Sequence, residues 1–331
     1  MEITEQQQEL SDLIDQKLAE LNLPEDPSLL YDPVRYTLEL SGKRIRPYLT
    51  LIGCGLCGGE IEEALPAAVA IELLHNFTLL HDDIMDRAHT RRGEPSVYKK
   101  WDQNTAILSG DAMYAKAFKQ LQYYGNENQY SKSQYRTILD IFLNSAETVC
   151  EGQAFDLEFE DRANVSTEEY MHMIEGKTAA LISGSLAMGG AVAGASEKEI
   201  NKLQYVGQKI GIAFQIQDDL LDAIADPDKF GKKHGGDIIE GKKTYLTLLA
   251  LQQCDDKQKK VLTDVLNSDT GNPEEVKKII SIYEALDVIE DTKNAVQYHY
   301  QAAVDRIQEF ESSPYKDEII AFLNRLISRE Y

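Results

Sequence analysis

Proline is the residue that helices tolerate least, costing about 3 kcal/mol in a helix interior. This chain of 331 residues has nine prolines, and none falls between Ser96 and Asp226. Inside that interval apolar residues recur at i, i+3, i+4 spacing. Ile138, Ile141, Phe142 and Val149 share one face, and Leu203, Val206, Ile210, Ala213 and Phe214 share another. Alternating apolar and polar runs bounded by turn pairs, the mark of strands, are nearly absent. The expected fold class is all-α.

Breaks between helices are expected at Asn22–Pro33, Gly58–Glu60, Tyr124–Ser133, Asp161–Thr167, Gly194–Glu197, Asp226–Gly241 and Ser268–Pro273. Ser166-x-x-Glu169 and Ser196-x-x-Glu199 are capping boxes that would start helices. The connections are short, as between antiparallel neighbours, and no Gly/Ser- or Pro-rich linker divides the chain. One domain over residues 1–331 is the expected organisation.

The formal net charge is −22, which argues against a general nucleic-acid binder, since a phosphate backbone demands a strongly positive face. Met1 to Gln8 lacks the basic start and apolar core of an ordinary secretory signal. No uninterrupted apolar run reaches about 18 residues, so no membrane span is expected. The nearest stretch, Leu181 to Ala195, is rich in Gly, Ala and Ser and reads as a tightly packed internal helix. Four cysteines are too few for a disulfide framework in a chain this long. Cys54 and Cys57 form a C-x-x-C, read as two buried small residues one turn apart in preference to a redox pair or half a zinc site. A reducing, cytoplasmic location is expected.

Function becomes readable in a duplication. Leu80-His81-Asp82-Asp83-Ile84-Met85-Asp86 is echoed by Ile216-Gln217-Asp218-Asp219-Leu220-Leu221-Asp222. Each is a D-D-x-x-D segment at the end of an apolar helical run. On a helix Asp82 and Asp86 share a face, as do Asp218 and Asp222, and like charges stacked one turn apart repel. Neither five-residue segment contains a Lys or Arg. Such carboxylate pairs suit a divalent cation, and Mg2+ typically takes one or two carboxylates plus water and substrate phosphate. Neither segment supplies the glycine-containing loop of an EF-hand. Basic residues beside glycines follow the same logic: Gly42-Lys43-Arg44-Ile45-Arg46-Pro47, Arg91-Arg92-Gly93, and Gly231-Lys232-Lys233 through Gly241-Lys242-Lys243-Thr244. In so acidic a chain these suggest anion sites, with arginine suited to bidentate phosphate contact.

Taken in order, G-K-R-x-R-P, L-x-H-D-D-x-x-D…R-R-G, G-K-T-A, F-Q-x-x-D-D-x-x-D and G-K…G-x-D-I-x-x-G-K-x-T resemble the trans-polyprenyl diphosphate synthases, from about Gly42 to Thr244. The resemblance implies a homodimer of all-α bundles, each around a central cavity (the isoprenoid synthase fold), with the aspartate motifs facing each other at its mouth. It implies Mg2+-dependent head-to-tail condensation of isopentenyl diphosphate with an allylic diphosphate. Asp82, Asp86 and Asp218 would hold three Mg2+ ions, supported by Asp83 and Asp222, with Asp219 completing the second motif. Arg91, Lys177, Lys232 and Lys242 would clamp the allylic diphosphate. Lys43, Arg46, His75 and Arg92 would form the isopentenyl diphosphate site. Thr178 and Gln215 would lie beside the developing carbocation, and Gln153 with Asp156 would form a further polar pair near the metals.

Two assignments keep a structural alternative: His75 as an interior histidine, and Lys177-Thr178 as a helix kink. The glycine- and lysine-rich stretch Asp226–Gly241 is expected to form a lid over the diphosphate. Phe77, five residues before Asp82 or about 7.5 Å along a helix, would floor the cavity, with Thr78 beside it. The expected product is geranylgeranyl diphosphate, with farnesyl diphosphate next. A class I terpene cyclase usually pairs one aspartate motif with an N-D-x-x-S-x-x-x-E type. A non-catalytic subunit of a heteromeric synthase commonly loses one motif. This chain keeps two D-D-x-x-D segments.

Overall fold

The computed structural model describes residues 4–40, 42–162, 164–224, 235–266 and 272–328. Helices run in series: α1 (Glu5–Ala19), α2 (Ser28–Glu39), α3 (Ile45–Leu56), α4 (Ile61–Met85), α5 (Val97–Lys100), α6 (Gln103–Asn126), α7 (Lys132–Asp161), α8 (Thr167–Ile174), a π-helical turn (Glu175–Ala179), α9 (Ala180–Val192) and α10 (Glu197–Ile224). After these come α11 (Gly236–Ile239), α12 (Tyr245–Gln253), α13 (Asp256–Leu266), α14 (Pro273–Ala285), α15 (Val288–Ile307) and α16 (Pro314–Ile327). Among the described residues, β-structure is confined to the hairpin of β1 (Thr90–Arg91) and β2 (Glu94–Pro95). The all-α expectation holds.

Both expected capping boxes form. The Ser166 hydroxyl accepts from the Glu169 N–H while the Glu169 carboxylate accepts from the Ser166 N–H, and Ser196 and Glu199 repeat the exchange. The break expected at Asn22–Pro33 needs correction. Helix α2 begins at Ser28 and carries Pro33 inside it, and α4 carries Pro66. The N–H groups those prolines lack would have served the carbonyls of Leu29 and Glu62, both exposed residues that water can reach. Next to Pro66 the Tyr124 hydroxyl enters the helix ladder, donating to the Glu63 carbonyl at 2.8 Å and accepting from the Ala67 N–H at 3.1 Å.

Contacts group the chain into two compact units. The first comprises Met1–Ala146, Leu181–Gln204 and Glu311–Glu318. Helix α4 runs through it, packed against α3 and α6. Ala64 to Leu74 is apolar on nearly every side and is almost wholly buried. Among the described residues α4, and not Leu181–Ala195, is the stretch nearest a membrane span by length and composition; 67% of its most apolar window is buried inside the fold, as in a core helix. Helix α9 is the packed internal helix expected there. A Cβ on Gly189 would lie 2.0 Å from the Thr50 carbonyl oxygen, so α9 and α3 meet backbone to backbone. Cys54 and Cys57 are free, and burial pushes both thiols up to about 12, which removes the thiolate a redox pair needs.

The second unit comprises Glu147–Ala180, Tyr205–Phe310 and Ile319–Tyr331. Its core joins Leu220 and Ala223 of α10 to Leu246, Leu262, Ile279, Tyr283 and Val288. Lys232 and most of the expected lid lie outside the described residues, as does most of the break expected at Ser268–Pro273.

Candidate active site

In the first unit, Asp82 and Asp83 lie in the last turn of α4, which holds no basic residue, and Asp86 is its C-cap. A helix C-terminus carries partial negative charge, so three carboxylates there are electrostatically costly unless cations neutralise them. The helix closes with the Ala88 N–H on the Asp83 carbonyl and the Arg87 N–H on the Ile84 carbonyl, a Schellman pattern. Arg87 takes φ 52° where glycine is usual. The chain can then return through the β1–β2 hairpin, whose two loop residues, Arg92 and Gly93, both have positive φ.

That return delivers the cations. Arg91 donates to buried Asp83 through Nε at 2.9 Å and through Nη2, and reaches Asp82 at 3.5 Å. Burial raises the Asp83 carboxyl, with Arg91 pulling it back down. Asp86, by contrast, is exposed. Arg92 donates to the Leu40 carbonyl at 3.1 Å, and its guanidinium lies 2.6 Å from where a Cβ on Gly42 would sit. The glycine of G-K-R-x-R-P is therefore the space that Arg92 occupies.

Behind this turn the first unit buries a second charged cluster. Arg46 and His75 meet at 3.2 Å between Nη1 and Nε2. Burial, followed by Arg46, Arg92, Arg91 and Arg44, drives the imidazole well below its ordinary pKa, so His75 is a neutral acceptor. Burial also lowers Arg46 to about 10, against the pull of Glu72. Arg46 Nε and Asn76 Oδ1 are buried without hydrogen-bond partners, polar atoms that a bound anion and its waters could engage. Sequence reasoning missed Glu72 and Asn76. Glu72 is buried, accepts from Arg44 at 2.6 Å and from Asn76 at 3.0 Å, and is the counter-charge of the cluster.

Lys43 is exposed, and Thr78 is turned along its own helix to the His75 carbonyl at 2.8 Å. Phe77 stacks on Tyr114, with ring centroids 5.1 Å apart, and Tyr114 in turn meets Phe118 at 5.4 Å and Phe142 at 6.2 Å.

The second unit is organised around the π-helical turn. A π-turn carries one residue more per hydrogen-bonded ring than an α-helix and is frequent at functional sites; Lys177 and Thr178 lie in it, which is the kink that was one of their two readings. Helix α7 touches this turn through its backbone: a Cβ on Gly152 would lie 2.0 Å from the Lys177 nitrogen. The close approach lets Lys177 pair with Asp156, one turn beyond Gly152, at 2.5 Å. Gln153 is half-buried on the same helix.

On the far side of the turn, the Thr178 hydroxyl donates to Gln215 Oε1 at 2.9 Å, and Gln215 Nε2 donates to Asp219 Oδ1 at 3.1 Å. Asp219 is buried and also accepts from the Tyr170 hydroxyl and, at 3.0 Å, from the Tyr245 N–H. Burial pushes its carboxyl up to about 7. Asp222 accepts from the Asp237 N–H at 2.8 Å and thereby fastens α11 to α10. Within the second motif, then, Asp218 is the exposed member, while Asp219 and Asp222 are held inward. Lys242 pairs with Glu240 at 2.9 Å and Asp237 at 3.4 Å. Its neighbour Lys243 caps α7, donating to the Phe159 carbonyl at 2.6 Å.

Each motif offers hard carboxylate oxygen at a helix end that lacks basic residues, Asp82 and Asp86 in the first unit and Asp218 in the second, and such oxygen suits a divalent metal. Among the described residues no group of three or more His, Cys, Asp or Glu side chains is gathered closely enough to hold one.

Residues 27–283 match the family model for Polyprenyl synthetase. The chain is 35% identical to the short chain isoprenyl diphosphate synthase of Methanothermobacter thermautotrophicus over all of both chains. It is 42% identical to the geranylgeranyl diphosphate synthase of Saccharolobus solfataricus over 79% of this chain and 76% of the other. Among solved structures, the geranylgeranyl pyrophosphate synthetase from Pyrococcus horikoshii Ot3 is similar with a TM-score of 0.92 and 36% identity, covering 98% of each chain. The chain is therefore a prenyltransferase of the polyprenyl synthetase family, built on the all-α isoprenoid synthase fold.

Proposed function

We propose that this protein makes a short-chain trans-prenyl diphosphate by head-to-tail addition of isopentenyl diphosphate to an allylic diphosphate, with geranylgeranyl diphosphate as the main product and farnesyl diphosphate next. The observation that carries this reading is the C-terminus of α4, where three carboxylates and Arg91 lie at the negative end of an apolar helix. Asp82, Asp86 and Asp218 would hold three Mg2+ ions, and Asp83 and Asp222 hold the surrounding backbone and side chains in place. Mg2+, when bound, neutralises the diphosphate oxygens and makes diphosphate a better leaving group.

Arg91, Lys177 and Lys242 clamp the allylic diphosphate, with Lys232 assigned from sequence alone. As the C–O bond breaks, negative charge grows on the leaving oxygens and these fixed cations stabilise it. Positive charge grows on the allylic carbon, where Thr178 and Gln215 present oxygen lone pairs without a good nucleophile. Lys43, Arg46, His75 and Arg92 orient isopentenyl diphosphate. The arginines that face His75, and the unpartnered Arg46 Nε, support an anion taking its place among them. The double bond attacks the allylic carbon, and the departing diphosphate accepts the proton then released.

Residues 1–331 act as one catalytic domain in a cytoplasmic homodimer. Exposed Ile107 and Leu108 on α6 and Leu143 on α7 are apolar surface that a second copy would cover. Purified protein incubated with Mg2+, isopentenyl diphosphate and each allylic starter tests the reading. Chain-elongated products of geranylgeranyl length are expected. An absence of elongation from every starter would refute it.

A further inference from the structure

We propose that Tyr170 and Asp219 are positioning residues that set the amide of Gln215, so that its carbonyl oxygen, and not its NH2 group, faces the allylic cation. The inference rests on the proposed condensation. It begins with the donor count at Asp219. Three N–H or O–H groups converge on this buried carboxylate: the Tyr170 hydroxyl, the Tyr245 N–H and Gln215 Nε2. Burial raises Asp219, but these three hydrogen bonds favour its ionised form, and an ionised carboxylate only accepts, so it receives the NH2 end of Gln215. The opposite end, Oε1, then accepts from the Thr178 hydroxyl.

The two ends of a glutamine amide match in size and oppose in polarity. An amide fixed with oxygen forward lowers the energy of a neighbouring carbocation; reversed, it raises it. Such a dipole stabilises the transition state most when it needs no reorientation during the reaction. Tyr170 meets the second aspartate motif through its hydroxyl on Asp219, and its ring meets that of Tyr245 at 6.1 Å between centroids. It is buried on α8, behind the capping box at Ser166 and Glu169. Its hydroxyl holds Asp219 Oδ2 together with the Tyr245 N–H, leaving Oδ1 to Gln215. Asp219 thus works as an orienting group inside the second aspartate motif, in contrast to exposed Asp218.

A double-mutant cycle on the purified full chain tests the proposal, using Tyr170→Phe, Gln215→Ala and the pair, with steady-state kinetics for both diphosphates. Tyr170→Phe is expected to lower kcat about tenfold, of the order of one lost hydrogen bond, with KM for both substrates within about twofold. In the Gln215→Ala background the same change is expected to lower kcat by less than about twofold, because there is no amide left to orient. An unchanged kcat for Tyr170→Phe, or the same tenfold loss in both backgrounds, overturns the proposal. Loss through KM alone also overturns it. Should Tyr170→Phe fail to fold, Asp219→Asn takes its place in the cycle with the same two outcomes, since an asparagine can present either polarity to Gln215. A wild-type enzyme that elongates no starter would bring down the condensation itself, which separates the two failures.

Discussion

Replacing Phe77 with alanine removes the first ring of a stack that continues through Tyr114 to Phe118 and Phe142. If the growing prenyl chain ends against Phe77, the structure sets how much longer it can become. The Tyr114 centroid lies 5.1 Å from that of Phe77, and the planes are tilted by only 29°. One isoprene unit adds four chain bonds, or about 5 Å with carbon–carbon bonds of about 1.5 Å. Removing the first ring therefore opens about one unit of depth before the next ring is met. Phe77→Ala is expected to shift the main product by one five-carbon unit, and Phe77→Ala with Tyr114→Ala to shift it further.

The two effects of the change separate cleanly in the assay. Losing a stacked aromatic pair costs about 0.5–1.5 kcal/mol beyond the buried area, which lowers the yield of folded enzyme. It does not alter the length that each folded molecule makes. Products are dephosphorylated and sized by mass spectrometry, with the distribution normalised to total turnover. An unchanged distribution from an active Phe77→Ala enzyme would show that the ring only fills the core, and would remove the stack from the account of product length.

Asp82→Ala and Asp218→Ala are each expected to lower kcat by at least about 100-fold, the scale of losing a preorganised electrostatic contact, with far-UV circular dichroism unchanged; collapse of helicity in both would assign them a structural role instead. His75 carries a pH signature. Its pKa is lowered in the fold by burial and by the surrounding arginines, so the unfolded chain binds this proton first as pH falls below about 6.5, and stability drops with it. Thermal melts at pH 7.5 and 5.5 should show a smaller decline for His75→Gln than for wild type, while His299, held at about 4 by burial, contributes equally to both; equal declines would contradict the neutral assignment. Tyr124→Phe deletes the hydroxyl beside Pro66 and is expected to cost about 1–3 kcal/mol, read from urea unfolding of each variant, with no cost if the α4 ladder closes unaided.

How far the sequence could be read depends on where each residue finds its partner. Contiguous charge was legible: the acidic turns, Arg91-Arg92-Gly93 and the capping boxes each declare themselves within a few positions. Spacing fails once the partner is remote. Arg44 and Arg46 sit two positions apart in one motif, yet Arg44, at φ 44°, turns to Glu72, Asp15 and the Leu38 carbonyl, while Arg46 meets His75. Nothing local distinguishes them, because the choice is made by a carboxylate on α4. Tyr170 and Asp219 are 49 positions apart and left no pattern at all.

The π-helical turn was legible only as a kink, one of the two readings of Lys177-Thr178. One extra residue in a turn shifts the register of everything after it, yet changes no composition and breaks no apolar run. The glycines Gly152 and Gly176, whose missing side chains let α7 and the turn touch, carry no sign of that contact in the sequence. The same logic extends to the second aspartate motif. Spacing alone does not separate the three carboxylates of one turn, which only the family resemblance told apart; burial divides them, since Asp219 accepts from three donors and Asp222 from the backbone of α11, while Asp218 is exposed. A carboxylate buried among N–H and O–H donors gains little from a cation, so the proposed metal-binding role suits exposed Asp218 better than buried Asp219.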